Sequence, residues 1–311
     1  MELFRALAVL CESPRPETAR VAEALGFGRA PTPAEFTEVF VFQLPPYASV
    51  YLGVEGMLGG EARDRVAGFW RAAFGEDVPP AEPDHLPLML ALYARLVEFE
   101  GEANDAARRE GWRAARKAFL WEHLSSWLPC YLRKLLEVAP PPYRAWGEVL
   151  MAALAGEAGA LGRPERLSLH LREATSAADP RAAPAEEFLR SLLAPARCGM
   201  ILTSSDLARA ARETNLSTRA GERLFVLRTL LGQDAAGLLG WLAAEAARWA
   251  SQHRQDADTF GETALWWEAR ARATSTLLEE LRQQAAEESR TNGQDLQDEQ
   301  DEKIPNSKSQ L

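Results

Sequence analysis

Reactive and metal-binding side chains are scarce in this sequence of 311 residues. Its three cysteines, Cys11, Cys130 and Cys198, are far apart and form no Cys-x-x-Cys pair, so neither a zinc or redox motif nor a disulfide framework is indicated. A reducing compartment fits this cysteine usage best. None of the lysines follows a glycine, which excludes a Walker-type phosphate-binding loop.

Long apolar runs are also lacking. No uninterrupted stretch approaches the roughly 20 residues that cross a bilayer as a helix. The apolar run near the N-terminus is too short for a secretory signal, and Glu2 stands where such a signal would be basic. We therefore expect a cytoplasmic protein.

Alternation of apolar and polar residues is too brief to predict a β-sheet, whereas apolar residues recur with a helical period through most of the chain. The predicted fold class is all-α, a multi-helix bundle. Residues 44–53, which include Pro45 and Pro46, are predicted to be extended. Helices are predicted over residues 2–12, 16–25, 32–43, 60–74, 86–100, 113–127, 130–138, 143–161, 186–193, 204–213, 218–231, 234–252 and 258–288.

Composition divides the chain into four parts. Residues 1–161 are predicted to form a helical core, and residues 162–185, rich in Arg, Pro, Ala and Asp, a linker. Residues 186–288 are predicted to form a C-terminal helical extension. Residues 289–311 are polar, charged and nearly free of large apolar side chains, which predicts a disordered acidic tail.

Acidic residues outnumber basic ones by 45 to 35, which gives a net charge of −10. An acidic surface disfavours nucleic acid as a partner and favours a positively charged one. We therefore expect no nucleic-acid partner.

Residues 81–86, which we call the elbow, combine Glu82, Pro83, Asp84 and His85 at the start of a long apolar helix. Pro83 restricts φ and lacks an amide proton, and Asp84 is predicted to cap the helix that begins near Leu86. An ordinary helix N-terminus explains these residues as well as a binding site does.

Metal and cofactor sites are not supported by the spacing of the candidate ligands. Glu82 and His85 have the Glu-x-x-His spacing of di-iron bundles, but such a site needs two of these pairs in helix interiors. Pro83 interrupts this pair, and the other three histidines have no acid at the same spacing. No G-x-S-x-G or H-E-x-x-H motif occurs. We expect no metal, no cofactor and no enzymatic activity.

The two helices predicted within residues 204–231 resemble a helix-turn-helix, although the turn comes about two residues late. The second helix carries Glu222 among its arginines, so a plain αα-hairpin is the favoured interpretation. The alternative function for the chain is a helical adaptor or regulator that acts through this C-terminal half.

Three segments of the first half carry a family resemblance: Pro-Pro-Tyr-x-x-x-Tyr at 45–51, Glu-Pro-Asp-His at 82–85, and Phe-Leu-Trp-Glu-His-Leu at 119–124 with Trp-Leu-Pro at 127–129. Together they resemble the TorD/DmsD family of redox-enzyme maturation chaperones, to about Leu161. The resemblance implies an all-helical cytoplasmic chaperone that binds the twin-arginine signal peptide of a molybdopterin oxidoreductase. Such a chaperone holds the precursor while its cofactor is inserted, before export. Monomer and homodimer both stay open.

The resemblance assigns peptide binding to Glu82, Asp84 and His85. The chemistry of a twin-arginine leader agrees, because planar guanidinium groups pair bidentately with carboxylates. The apolar stretch that follows the arginines needs a groove, in which methionine adapts to varied sequences. Most tryptophans are expected in the core, and a minority in that groove. Its predicted lining is Tyr47, Tyr51, Trp70, Leu86, Met89 and Trp127.

Overall fold

The computed structural model describes residues 2–75, 80–219 and 221–302, and for residue 289 and residues 291–302 it describes the backbone alone. The described residues form helices and no strand, which confirms the predicted all-α class. Within them, no helix combines the length and the apolar character needed to cross a lipid bilayer. The helices are α1 Glu2–Leu10, α2 Pro16–Ala24, α3 Pro33–Phe36, α4 Ala48–Leu52, α5 Gly60–Phe74, α6 Leu86–Glu102, α7 Ala106–Phe119, α8 Leu128–Val138, α9 Pro141–Leu161, α10 Leu169–Glu173, α11 Ala185–Leu192, α12 Pro195–Cys198, α13 Ser204–Glu213, α14 Arg223–Gln233, α15 Ala235–Gln255, α16 Ala257–Phe260 and α17 Glu262–Glu302.

Helices whose ends are marked by local signals lie close to their predicted bounds. α5 and α13 begin and end at the predicted residues. α13 starts with a capping box, in which the Thr203 hydroxyl accepts from the Asp206 amide and the Asp206 carboxylate accepts from the Thr203 amide. α3 and α7 each continue into a π-helical segment, Thr37–Gln43 and Leu120–Leu124.

The prediction that residues 44–53 are extended is wrong, because Ala48–Leu52 form α4. Distant parts of the chain hold this short helix in place. The Tyr131 hydroxyl donates to the Leu44 carbonyl at 3.2 Å, and the Ser49 amide donates to the Asp84 carboxylate at 3.1 Å. A helix of one and a half turns is unstable alone, so these tertiary contacts are what stabilise it.

Residues 162–185, predicted to form a loose linker, are packed against both halves of the chain. This segment contains α10, and its Ser168, His170 and Leu171 are buried. The Leu169 amide donates to the Glu122 carboxylate at 2.7 Å. Arg270 on α17 donates to a backbone carbonyl of the same segment, that of residue 174, at 2.8 Å. The connection therefore has a fixed path instead of the loose one predicted.

The backbone of α17 extends to Glu302, into the stretch predicted to be disordered from residue 289. Residues 289–302 contain a single glycine and no proline, so no local signal ends the helix there. The rest of the predicted tail, residues 303–311, lies outside the described residues.

One continuous set of buried apolar side chains extends from Phe4 to Leu281. Tryptophans connect its layers through their indole N–H groups: Trp146 donates to the Leu7 carbonyl and Trp267 to the Ser126 carbonyl, both at 2.9 Å. The three cysteines are buried and unpaired. The first and second halves of the chain thus share a core.

A buried ion-pair network also joins the two halves. Lys134 on α8 is fully buried and donates to Asp206 on α13 at 2.9 Å and to Glu137 at 3.1 Å. Glu137, Asp206 and Glu245 are close enough together to suggest a metal site. However, Lys134 and two arginines of α13 and α15 already pair with them. The cluster is therefore neutralised by the protein's own cations.

Gly199 lies where the chain after α12 crosses close to α17. Its φ is +76°, and a Cβ at this position would lie 2.3 Å from the Ala271 amide nitrogen. The Gly199 carbonyl accepts from the His253 ring at 2.9 Å. Only glycine allows this backbone conformation together with this close approach.

We predict that Gly199→Ala lowers the free energy of unfolding by about 2–4 kcal/mol, because the left-handed φ and the overlap with α17 both cost energy. Gly156→Ala, on an exposed and open face of α9, is the matched control. It should raise stability by about 0.5–1 kcal/mol, since alanine favours a helix interior. Urea denaturation of both variants measures the difference, and equal effects would contradict this role of Gly199.

Candidate functional site

The elbow forms an antiparallel bridge with the residues that lead into α4. The Leu86 amide donates to the Pro46 carbonyl at 2.8 Å, and the Ala48 amide donates to the Asp84 carbonyl at 3.1 Å. Two stretches that are far apart in sequence are therefore fixed against each other by backbone hydrogen bonds.

Asp84 caps α4. The prediction that it caps α6 is wrong. Its carboxylate is buried, with 2% of the residue exposed, and accepts from the Ser49 amide at the first turn of α4. His85 occupies the N-cap position of α6 and makes no side-chain cap there. The bridge turns the carboxylate toward the neighbouring helix, whose first amides lack intrahelical partners.

Tyr47, Glu82 and His85 form a small contact cluster outside this buried cap. The Tyr47 ring stacks on the His85 imidazole, with ring centroids 4.6 Å apart and planes inclined by 20°. The Tyr47 hydroxyl donates to a Glu82 carboxylate oxygen at 3.0 Å. Glu82 is exposed, whereas Tyr47 and His85 are half-buried. The stack and the carboxylate therefore present a continuous polar and aromatic surface.

We call Glu12, Tyr47, Glu82, Asp84 and His85 the acidic corner. Burial lowers the pKa of His85, an effect that the charges of Glu82, Glu12 and Asp84 oppose. Burial also raises the pKa of Tyr47 to about 12, helped by its hydrogen bond to Glu82. Near pH 7 the imidazole and the phenol are both neutral, so the carboxylates give the corner a net negative charge.

The predicted groove lining is wrong for four of its six residues. Leu86, Met89 and Trp127 have no exposed surface, and Tyr51 has 2%. The Tyr51 and Trp127 rings stack with their centroids 5.2 Å apart, and the Tyr51 hydroxyl donates to the backbone carbonyl of residue 45 at 3.0 Å. These four side chains belong to the core beneath α4, because helix periodicity identifies an apolar face without showing whether another helix covers it.

The other two predicted lining residues are partly accessible. Tyr47 belongs to the acidic corner. Trp70 is half-buried and packs against Phe74 on α5, with the ring centroids 5.3 Å apart. The structure therefore brings Tyr47, Glu82, Asp84 and His85 together and gives Trp70 a separate aromatic partner on α5.

Sequence reasoning missed two features beside this site. Glu12, just after α1, lies close enough to act on His85. Val54, Met57 and Leu58, in the loop between α4 and α5, are exposed by 54%, 60% and 62%. Three large apolar residues within a glycine-rich loop were the available signal, because such a loop has few ways to bury them.

The C-terminal hairpin does not have helix-turn-helix geometry. α13 ends at Glu213 and α14 begins at Arg223, so the connection is much longer than the roughly three to four residues of that motif. Ala220, within the connection, lies outside the described residues. On α13, Arg209 pairs with Asp206 and Glu245 inside the ion-pair network. These features agree with the plain αα-hairpin interpretation.

Residues 20–132 match the family model for the nitrate reductase delta subunit. A stretch of 95 residues is 34% identical to the chaperone protein TorD of Vibrio vulnificus strain YJ016, and the TorD of strain CMCP6 gives the same identity over the same length. The N-terminal part of this chain is therefore similar to the TorD chaperones. Each alignment covers 30% of the chain and 44% of the relative, so the chain spans less than half the length of these curated relatives.

The part that matches the TorD family contains the elbow, α4 and the Trp127–Pro129 segment, on which the sequence resemblance rests. It ends at residue 132, earlier than the expected limit near Leu161. Helices α9 to α17 lie beyond the match. No solved structure matches the chain.

We predict that Asp84→Ala lowers the free energy of unfolding by about 1–2 kcal/mol, because the buried Ser49 amide loses its acceptor. Asp84→Asn retains an acceptor oxygen, so its free energy of unfolding should lie between those of the unmodified protein and Asp84→Ala. Glu82→Ala removes an exposed side chain and should change stability by less than about 0.5 kcal/mol. Denaturant unfolding of the three variants measures this order. Equal, small losses at both positions would show that the cap of α4 contributes little.

Proposed function

We propose that this protein is a cytoplasmic maturation chaperone for a redox enzyme. Its acidic corner binds the twin-arginine signal peptide of a molybdopterin oxidoreductase precursor, which it holds while the cofactor is inserted before export. The observation that carries the proposal is the exposed Glu82 carboxylate, which the Tyr47 hydroxyl orients within the segment that matches the TorD family.

Charge supports a cationic ligand at the corner. Glu12, Glu82 and Asp84 surround an imidazole that is neutral near pH 7, because burial lowers the pKa of His85. Arg63 is close enough for its pKa to be raised by Asp84, but its guanidinium pairs with Asp64 at 2.7 Å. The adjacent guanidinium groups of a leader peptide would meet a negative potential here.

Shape supports arginine over lysine. A guanidinium group is planar, pairs with a carboxylate and stacks on aromatic faces, whereas an ammonium group is a compact point charge. The stacked Tyr47 and His85 rings provide such a face, and the Glu82 carboxylate lies at the Tyr47 end of it. One arginine of the pair can therefore bind Glu82 while the other lies against the stack.

The roles of the carboxylates differ. Asp84 is committed to the α4 cap, so it positions the corner and adds negative charge without pairing directly. Glu82 is exposed, and an exposed ion pair contributes only about 0–1 kcal/mol. The corner accordingly selects the arginine pair and fixes the register of the peptide, and most of the affinity must come from the apolar part of the leader.

We predict that Glu82→Gln weakens binding of an Arg-Arg leader peptide about fivefold, which corresponds to about 1 kcal/mol for a lost charge-assisted hydrogen bond. Tyr47→Phe keeps the ring but no longer orients Glu82, and should weaken binding about two- to threefold. A leader with Lys-Lys in place of Arg-Arg should bind the unmodified protein at least about fivefold more weakly. Isothermal titration calorimetry of the full chain measures each affinity.

Glu110→Gln, at an exposed position on α7 away from the corner, is the matched control for loss of one negative charge. It should leave affinity unchanged. Circular dichroism checks that each variant stays helical. Equal binding of the two leaders, together with unchanged affinity in Glu82→Gln, would overturn the assignment of the corner to peptide binding.

A further inference from the structure

A second feature lies at the other end of α4. A cavity of about 360 Å³ opens between the loop that follows α4, the start of α5 and α10. This volume falls within the roughly 300–1,000 Å³ typical of ligand clefts. The exposed Val54, Met57 and Leu58 line it on one side, and His170 and Glu173 of α10 line it on the other.

The shape of the loop is fixed by contacts at its middle and at its end. The Gly59 amide donates to the Ser49 hydroxyl at 3.1 Å, which attaches the loop to the first turn of α4. Gly56 has a φ of +63°, and a Cβ there would lie 2.9 Å from the Leu193 carbonyl oxygen. Because the loop is packed in this way, its apolar side chains stay at the surface without collapsing into the core.

Two side chains that line the cavity also carry buried polar atoms that lack partners. Arg65 pairs with Glu61 at 2.5 Å and with Glu173, but its Nη1 is buried without a hydrogen-bond partner among the described residues. His170 is 93% buried by area, since 7% is exposed, and its Nε2 is likewise unpartnered in the described part of the chain. Burial lowers the pKa of His170 to about 4, so the ring is neutral at pH 7. Both atoms have almost no accessible surface, so they lie beneath the cavity wall.

A peptide segment fits this lining, because its backbone amides can donate to the carboxylates at the rim. Its apolar side chains would contact the loop, where Met57 adapts to different sequences. The charges around the rim are Glu55, Glu61, Glu173 and Arg65, which leaves an excess of negative charge. This balance favours a segment that is apolar and carries no acid.

The acidic corner and this cavity lie at opposite ends of α4, a short distance apart. Asp84 caps the first turn of α4, and Leu52 at the last turn lines the cavity. A helix of five residues rises about 7.5 Å, and an extended peptide covers about 3.3 Å per residue. Two or three residues of peptide would therefore separate the two sites, which suits a leader whose apolar stretch closely follows its arginines.

We infer that this cavity binds the apolar stretch of the same signal peptide, so that α4 lies beneath the junction between the arginines and that stretch. The inference rests on the proposed function. It gives α10, which lies beyond the residues that match the family, a part in peptide recognition.

The test uses the full chain and two peptides: a leader with Arg-Arg and its apolar stretch, and a shortened peptide that keeps Arg-Arg and replaces the stretch with Gly and Ser. The double variant Met57→Ser, Leu58→Ser should bind the full leader about tenfold more weakly and the shortened peptide as tightly as the unmodified protein. Glu82→Gln should weaken both peptides. Phe225→Ser, an equally exposed apolar position on α14, is the matched control and should change neither.

Thermal unfolding checks that the double variant is folded, which its exposed positions favour. Undiminished affinity of that variant for the full leader, while Glu82→Gln still weakens both peptides, would overturn the cavity assignment and leave the proposed function standing. Failure of the unmodified protein to bind either peptide would overturn both.

Discussion

The hydrogen bond from the Ser49 amide to the buried Asp84 carboxylate decides how two distant stretches of the chain meet. It stabilises α4, a helix too short to form alone, and it holds the elbow against the residues that precede that helix. Tyr47 and His85 stack because their backbones are bridged at this point. The other end of α4 borders the cavity beside α5 and α10. Both candidate sites therefore depend on one carboxylate that contacts no ligand in the proposed mechanism.

This arrangement separates positioning from binding. A buried carboxylate that already accepts an amide hydrogen bond is a costly partner for a peptide, since the helix end would lose its cap. The exposed Glu82 has no such commitment beyond the Tyr47 hydroxyl. A loss of peptide binding on changing Asp84 is therefore expected through misplacement of Tyr47 and His85, and it has to be distinguished from loss of a direct contact.

The fold class and the long helices could be predicted because their signals are local. The capping residues of α13 and the glycines that flank α5 stand next to the helices they delimit. α4 could not be predicted, since its cap comes from Asp84, 35 residues away in sequence from Ser49. The packed path of residues 162–185 depends in the same way on Glu122 and Arg270.

Only some residues of the candidate site could be predicted, because residue type shows chemistry but does not show which side chains are exposed. Residue type identified the Glu82 and Asp84 carboxylates as suited to a cationic ligand, and the family resemblance added His85. The structure places Tyr47 beside Glu82 and His85 and commits Asp84 to the α4 cap. Residue type could not separate Tyr51 and Trp127, which stack in the core, from Met57 and Leu58, which are exposed. All four are large and apolar, and only the packing of α4 against its neighbours decides which of them solvent can reach.

The binding path along α4 is tested most directly by hydrogen–deuterium exchange of the full chain with and without an Arg-Arg leader peptide, followed by mass spectrometry. The account predicts slower exchange in the segments 45–62 and 80–86, together with residues around α10, and no change in α13 and α14. Protection confined to residues 204–233, or absent from both ends of α4 at saturating peptide, would contradict it.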